Sequence, residues 1–522
     1  MNARLRSVLR RARPWLVPVA TMLVVLAVLV VVTDAWARPG GGQSFSGSRS
    51  SGSSGGSRSS GGSFGSSGSS RSSSGSSSSS GGGGDASGFF TLIIWLVFEV
   101  PALGIPLFIA FVAYMVYSKM KPRSDWSTSG PVQLDTSRSP RNVLQDLRNE
   151  DPNFSIVLFE DFLVNLYAQA HEARGRGAID ELGPYLTDAV RAMLRPQNGL
   201  RQVKGIVVGA MRIISAQIGG AQASVTVEFE ANMTEVSPSG EQAFYVVETW
   251  TLVRRRGAQS KPPQQAKTLG CPNCGAPRTA LRGSRCAQCG NAVGDGAFDW
   301  TVTTLNLAQR EARPPLLTGT VEEQGTNLPT IIDRNVAQSF QALVAKDPQV
   351  TWPSLQQRIG LAFRELQVAW SAQELARARA FLSDGQFQSM LYWIETYRRS
   401  HLRNVTENAQ ITNMELVRVT QDRFYDAVTV RIYATGLDYT IDQSGKVVAG
   451  NRSKARPYSE YWTLVRGSER RGPTRTEPVC PNCGAPLNVN MAGTCGYCNV
   501  VITTGDFDWV VSRIEQDEAY LG

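Results

Sequence analysis

From residue 140 onward the sequence is written nearly twice, and that repetition limits the chain more than any other feature. Asp151-Pro152 through Asp188 aligns without a gap on Asp347-Pro348 through Asp384, and Tyr185-Leu-Thr-Asp answers Phe381-Leu-Ser-Asp. Val225-Thr-Val answers Val428-Thr-Val. Trp250-Thr-Leu-Val-Arg254 recurs letter for letter at Trp462 to Arg466, and Phe298-Asp-Trp300 recurs at Phe507-Asp-Trp509. A repeat of this length is a domain rather than a solenoid unit. It predicts a tandem duplication over 140–312 and 333–522, with 313–332, carrying Pro314, Pro315 and Pro329, as linker.

Each copy reads helices first and strands afterwards. Phe159, Leu163, Leu166 and Ala170 fall on one helical stripe, and Leu355, Ile359, Phe363, Leu366 and Trp370 on another. Asp151-Pro152 and Asp347-Pro348 look like an N-cap with proline at the first helical position. A second helix is expected through Asp180–Leu194 and Leu375–Tyr397. Strand-like runs follow at Gly205–Ile218, Ala223–Asn232 and Ala243–Arg254, and in the second copy at Gln410–Val419, Ala427–Ala434 and Tyr458–Val465. The expected class is therefore α+β, with helices on one face of a curved antiparallel sheet that can form a cone around an apolar pocket.

All eight cysteines lie in two clusters with one spacing, C-x2-C-x11-C-x2-C: Cys271, Cys274, Cys286 and Cys289, then Cys480, Cys483, Cys495 and Cys498. Such clustering argues against a disulfide scaffold. Two close thiolate pairs suit a tetrahedral zinc ion, and four cysteine ligands leave no position for water or substrate, so two structural zinc ribbons are predicted. Gly275, Gly290, Gly484 and Gly496 give backbone room for the knuckle turns. A redox C-x-x-C would not need its partner pair at a fixed distance. Each ribbon is read as an insertion at the end of a β-hairpin.

The first 120 residues are of another kind. Five arginines, an apolar run from Trp15 to Val32 and Ala35-Trp-Ala37 read as a secretory signal, and the run is also long enough to be a first transmembrane helix (1–37). Residues 38–88 are nearly pure Gly and Ser, a composition expected to stay flexible. Phe89 to Tyr117 is an apolar run long enough to span a bilayer; Lys119, Lys121 and Arg123 then mark the following side as cytoplasmic. Glu99 within the run reads either as a functional intramembrane acid or, the favoured reading, as a carboxyl kept neutral at a proline-broken turn or facing a partner helix.

The net charge of +9 and the cations near the first ribbon (Arg254, Arg255, Arg256, Lys261, Lys267, Arg278, Arg282, Arg285) allow three readings: a solvated loop, contact with anionic lipid, or nucleic acid. No aromatic residues interleave with these cations as a stacking platform would require, which ranks nucleic acid last.

The helix-then-strand order, the Tyr185-Leu-Thr-Asp and Phe381-Leu-Ser-Asp segments and the strand run closing on Phe-Asp-Trp resemble the C-terminal domain of the Tim-forty-four-like family, named for a peripheral subunit of the mitochondrial inner-membrane import translocase. The Arg-rich start, Gly/Ser tract and span resemble its bacterial members. The resemblance implies a nuclear-transport-factor-two-like cone, membrane association and protein or lipid contacts, and it brings no catalytic residues. The expected function is a non-enzymatic scaffold, with a possible place in transport, held at the cytoplasmic face of a bacterial inner membrane. The alternatives are an enzyme using the cone pocket and a ribbon-based nucleic-acid-binding regulator. His171 and His401 fall at unrelated points of the two copies, and Asp188 and Asp384, which do match, sit where helix caps would stand.

Overall fold

A computed structural model describes residues 133–134 and 139–522, apart from 197–198, 267–268, 316, 318–325, 476, 478 and 518. The signal or first span, the Gly/Ser tract, the expected span 89–117 and Glu99 lie outside these residues. Among the described residues no helix is long and apolar enough to cross a membrane.

The first half runs through α1 (Pro140–Leu144), α2 (Ile156–Arg176), a 3-10 turn at Ile179–Leu182, and α3 (Asp188–Leu194). Strands β1 (Gln202–Gln217), β2 (Gln222–Ser237), β3 (Gly240–Arg255) and β4 (Thr301–Glu311) follow. The second half repeats that order: α4 (Val336–Lys346), α5 (Trp352–Ala372), a 3-10 turn at Leu375–Phe381 and α6 (Asp384–Arg399). Then come β5 (Leu402–Gln421), β6 (Tyr425–Asp442), β7 (Val447–Gly467) and β8 (Val510–Gln516). Each set of strands forms one antiparallel sheet in sequence order. The α+β class stands. The expected second helix is a 3-10 turn followed by a true helix in each half, and the strands run several residues further than their apolar centres.

The long helices form for identifiable reasons, though not the Asp-Pro cap. Ser155 caps α2 by accepting the Leu158 N–H at 3.3 Å, and Thr351 caps α5 in a reciprocal box with Ser354. Gly177, at φ 68°, ends α2 in the left-handed conformation that favours glycine. Each helix lays its expected stripe on one sheet face. Leu163, Leu166 and Tyr167 meet Val225, Val227 and Phe229, while Leu355, Ile359 and Phe363 meet Val428, Val430 and Trp462. Register shifts between Lys204 and Val207 and between Thr435 and Leu437 mark bulges, which sharpen the twist and curve each sheet around its helix.

The far face of the second sheet is covered as well. Val157 of α2 packs against Ala427, Val465 and Val510, and Tyr520 stacks on Tyr461 at 3.9 Å. Arg141 bridges Glu160 at 2.7 Å and Glu515 at 3.3 Å, joining the halves. The expected linker is packed at its end: the Leu328 carbonyl accepts from Arg431 at 2.8 Å, and Ile331–Ile332 pairs in parallel with Gln133–Leu134.

Candidate metal centres

Each cysteine cluster sits in the connection between the third and fourth strands of its sheet, 256–300 in the first half and 468–509 in the second. The eight sulfurs gather as two groups of four, with every ligand atom of a group within 4.8 Å of the others. The paired Sγ distances are 4.0 Å (Cys271–Cys289), 3.8 Å (Cys274–Cys286), 3.8 Å (Cys480–Cys498) and 4.0 Å (Cys483–Cys495). A tetrahedron with metal–sulfur bonds of about 2.3 Å has edges of about 3.8 Å, so both sets fit a metal ion such as zinc.

Backbone turns supply this spacing. Gly275 and Gly290 donate to the carbonyls of Cys271 and Cys286, both at 2.9 Å, and Gly484 to that of Cys480 at 3.0 Å. At the fourth turn the left-handed residue is Asn499 (φ 58°), donating to Cys495 at 2.9 Å, and not the expected Gly496. Asparagine tolerates that conformation better than other side chains. Asn273 and Asn482 each donate an amide N–H to a thiol, Cys289 and Cys498, at 3.5 Å. These amides pull both thiols down to about 6, whereas burial pushes Cys271 up to about 12.

The repeated motifs meet beneath these loops. Asp151 and Asp347 are buried anions: Asp151 accepts from Arg254 at 2.8 Å, and Asp347 from Arg466 at 2.9 Å. The two arginines lie over Trp300 (5.4 Å) and Trp509 (4.8 Å). The Asp-Pro, Trp-Thr-Leu-Val-Arg and Phe-Asp-Trp motifs are thus one post per half. The same carboxylates hold the start of each cysteine loop, through Ser260 N at 2.9 Å and Gly472 N at 3.2 Å. Local reading missed this because the partners are 103 and 119 residues apart.

The other candidates have structural surroundings. Asp188 and Asp384 open α3 and α6 and are ion-paired with Arg191 and Arg379. His171 faces Glu248 at 3.2 Å, inside the first sheet's curve; burial pushes that carboxyl up, but His171, the Trp250 indole N–H and Arg174 together leave it below the usual range. Tyr167, 4.7 Å from Phe229 and 5.2 Å from Trp250, fills the space beside this pair. His401 lies exposed at the start of β5, bonded to Gln443 at 2.8 Å. Of the cations near the first cluster, Arg254, Arg255, Arg256 and Lys261 pair with Asp151, Asp295, Glu150 and Asp299. Lys267 lies outside the described residues. An open cleft of about 420 Å³ beside the first loop has both signs of charge, Asp180 and Glu181 against Arg191 and Arg282.

The model of the Tim44-like domain matches residues 336–474, from α4 to just past the end of β7. Residues 336–474 form a Tim44-like domain. The match stops short of the second cysteine cluster, so that loop and β8 lie beyond the Tim44-like match. No curated protein matches the chain by sequence. Among solved structures, an "Ntf2 like protein involved in plasmid conjugation" aligns over 68 % of this chain and 94 % of its own, at 9 % identity and a TM-score of 0.17, a likeness too slight to carry an inference.

Proposed function

We propose that the chain is a non-enzymatic docking scaffold built from two related Tim44-like units, 140–312 and 333–522, each stapled by a structural zinc ion at its four cysteines. The observation that carries this reading is the placement of what the halves share. The repeated Asp, Arg and Trp residues are buried posts that join sheet, helix and cysteine loop, so the common sequence serves a frame and leaves the surfaces free to differ. The exposed faces of such a frame are where protein or lipid would dock, and two linked units raise the effective concentration of a second weak contact.

In this reading Phe89 to Tyr117 anchors the frame in a bacterial inner membrane, and the folded units face the cytoplasm, where reduced thiols keep zinc. The net charge of +9 assists approach to an anionic leaflet. Vesicle flotation tests it. A fragment of residues 124–522 should rise with vesicles containing acidic lipid at low salt and be released at high salt. Failure to bind at any salt would remove the lipid contact. Turnover of a small molecule that disappears in Glu248→Gln would replace the scaffold with an enzyme.

A further inference from the structure

The gap-free alignment of the halves pairs Gly183 with Arg379, and the same register carried into α3 and α6 pairs Arg191 with Phe387. Glycine and arginine in one half thus stand against arginine and phenylalanine in the other, yet the guanidinium ends in the same place. Arg191 Nε donates to the Leu186 carbonyl at 3.3 Å, and Arg379 Nη1 to the equivalent Leu382 carbonyl at 2.9 Å. Each also pairs with the aspartate that opens the helix after the 3-10 turn, Asp188 of α3 or Asp384 of α6. Each reaches the turn of its cysteine loop. Arg379 Nε donates to Met491 O at 3.1 Å, and Arg191 lies against Gly283, where a Cβ would come within 3.3 Å of its Nη2.

The two halves reach this node from opposite sides, and each adapts its neighbours to suit. In the first, Gly183 lets the turn approach so closely that a Cβ there would sit 1.9 Å from Gly283 O. In the second, Arg379 takes that place and lies 4.5 Å over the ring of Phe387, which replaces the helical arginine. Thr503, where the loop returns to the body, adds a hydrogen bond to Asp384 at 3.2 Å. A guanidinium with five donors in a fixed fork can hold carbonyl, carboxylate and turn together, which a lysine cannot. The turn it holds directly precedes the second cysteine pair of each loop, Cys286 and Cys289 or Cys495 and Cys498.

We propose that Arg191 and Arg379 are positioning residues for the two cysteine clusters, each fastening its loop's turn to the helical body so that the second thiol pair stays at ligand spacing. This rests on the reading that the clusters bind metal, and the test separates the two. Zinc release from the full chain to a chelator is followed after loading, with Cys271→Ser and Cys480→Ser assigning the two phases. Arg191→Ala should speed release from the first cluster about tenfold, the scale on which outer partners tune metal sites, and leave the second unchanged. Arg379→Ala should do the converse. Asp188→Asn and Asp384→Asn, milder cuts, should act on the same phases in the same direction. Unchanged rates, or both phases accelerating together, would overturn the proposal, since a loss of general stability moves both clusters. If the wild-type chain holds no zinc, the metal reading fails, and amide exchange still decides the clamp. Faster exchange confined to 281–284 in Arg191→Ala would support it, and unchanged exchange would sink it.

Discussion

Replacing Arg254 by Met tests the buried post. Arg254 is 4 % exposed and Asp151 1 % exposed, with 2.8 Å between them, so the substitution leaves a carboxylate inside the protein without its cation. Removing one partner of such a pair costs about 3–5 kcal/mol. Ser260 still donates its N–H at 2.9 Å and its hydroxyl at 2.6 Å to the same carboxylate, which places the cost at the low end, about 3 kcal/mol. Methionine keeps most of the stem that packs near Trp300, so lost volume contributes little. Three kcal/mol is about two powers of ten in the folding equilibrium. Urea unfolding followed by tryptophan fluorescence reads it directly. Adding Asp151→Asn to Arg254→Met removes the stranded charge, and the double variant should regain about half of the loss. A cost below about 1 kcal/mol for Arg254→Met, or a double variant as unstable as the sum of its singles, would refute the reasoning.

Three further outcomes follow from the geometry. Gly183→Ala places a Cβ 1.9 Å from the Gly283 carbonyl, backbone against backbone, and should loosen the first cysteine loop at a cost of about 1–3 kcal/mol, seen as faster amide exchange there. Glu160 and Glu248 are each pushed up by burial but held below the ordinary range by the larger combined pull of Arg141, Arg513 and Arg418 on the first, and of His171, Trp250 and Arg174 on the second. Their contribution to stability is therefore complete above about pH 5 and lost as the pH falls through their depressed folded values, so urea midpoints should be flat from neutral pH to about 5 and fall below it; a midpoint that rises on acidification contradicts this. Arg466→Met strands two carboxylates, Asp347 and Asp426, of which Lys346 at 2.8 Å still serves the second, and should cost at least as much as Arg254→Met in the same assay.

Much of this was legible in the sequence for physical reasons that differ from element to element. The helical stripes were visible because Leu163, Leu166 and Ala170 face a core at helical period. The cysteine spacing was visible because ligand geometry is local. The Asp-Pro pair misled because a carboxylate before a proline is also what a helix start looks like, while its true partner stands on a strand of the opposite layer. The recurrence of Asp-Pro together with Trp-Thr-Leu-Val-Arg was the available signal that these motifs meet. Strand ends at Leu402–Asn408 and Val447–Arg456 were missed because their sequence is rich in polar residues, and they are held by backbone pairing together with a small cluster of Val405, Tyr439, Ile441 and Val447 and the Asn404–Asp438 hydrogen bond. The basic approach to the first cluster reads foremost as a solvated loop, and Glu150, Asp295 and Asp299 lie against three of its cations, Arg256, Arg255 and Lys261, charges too distant in sequence to be matched with them by eye.

Whether two metal-stapled units make one frame can be read from native mass spectrometry of the chain purified in reducing buffer. The chain should carry two zinc ions, falling to one in Cys271→Ser and to one in Cys480→Ser, with both variants still folded. Fewer than two in the unaltered chain, or cysteines found joined as disulfides in that buffer, would contradict it.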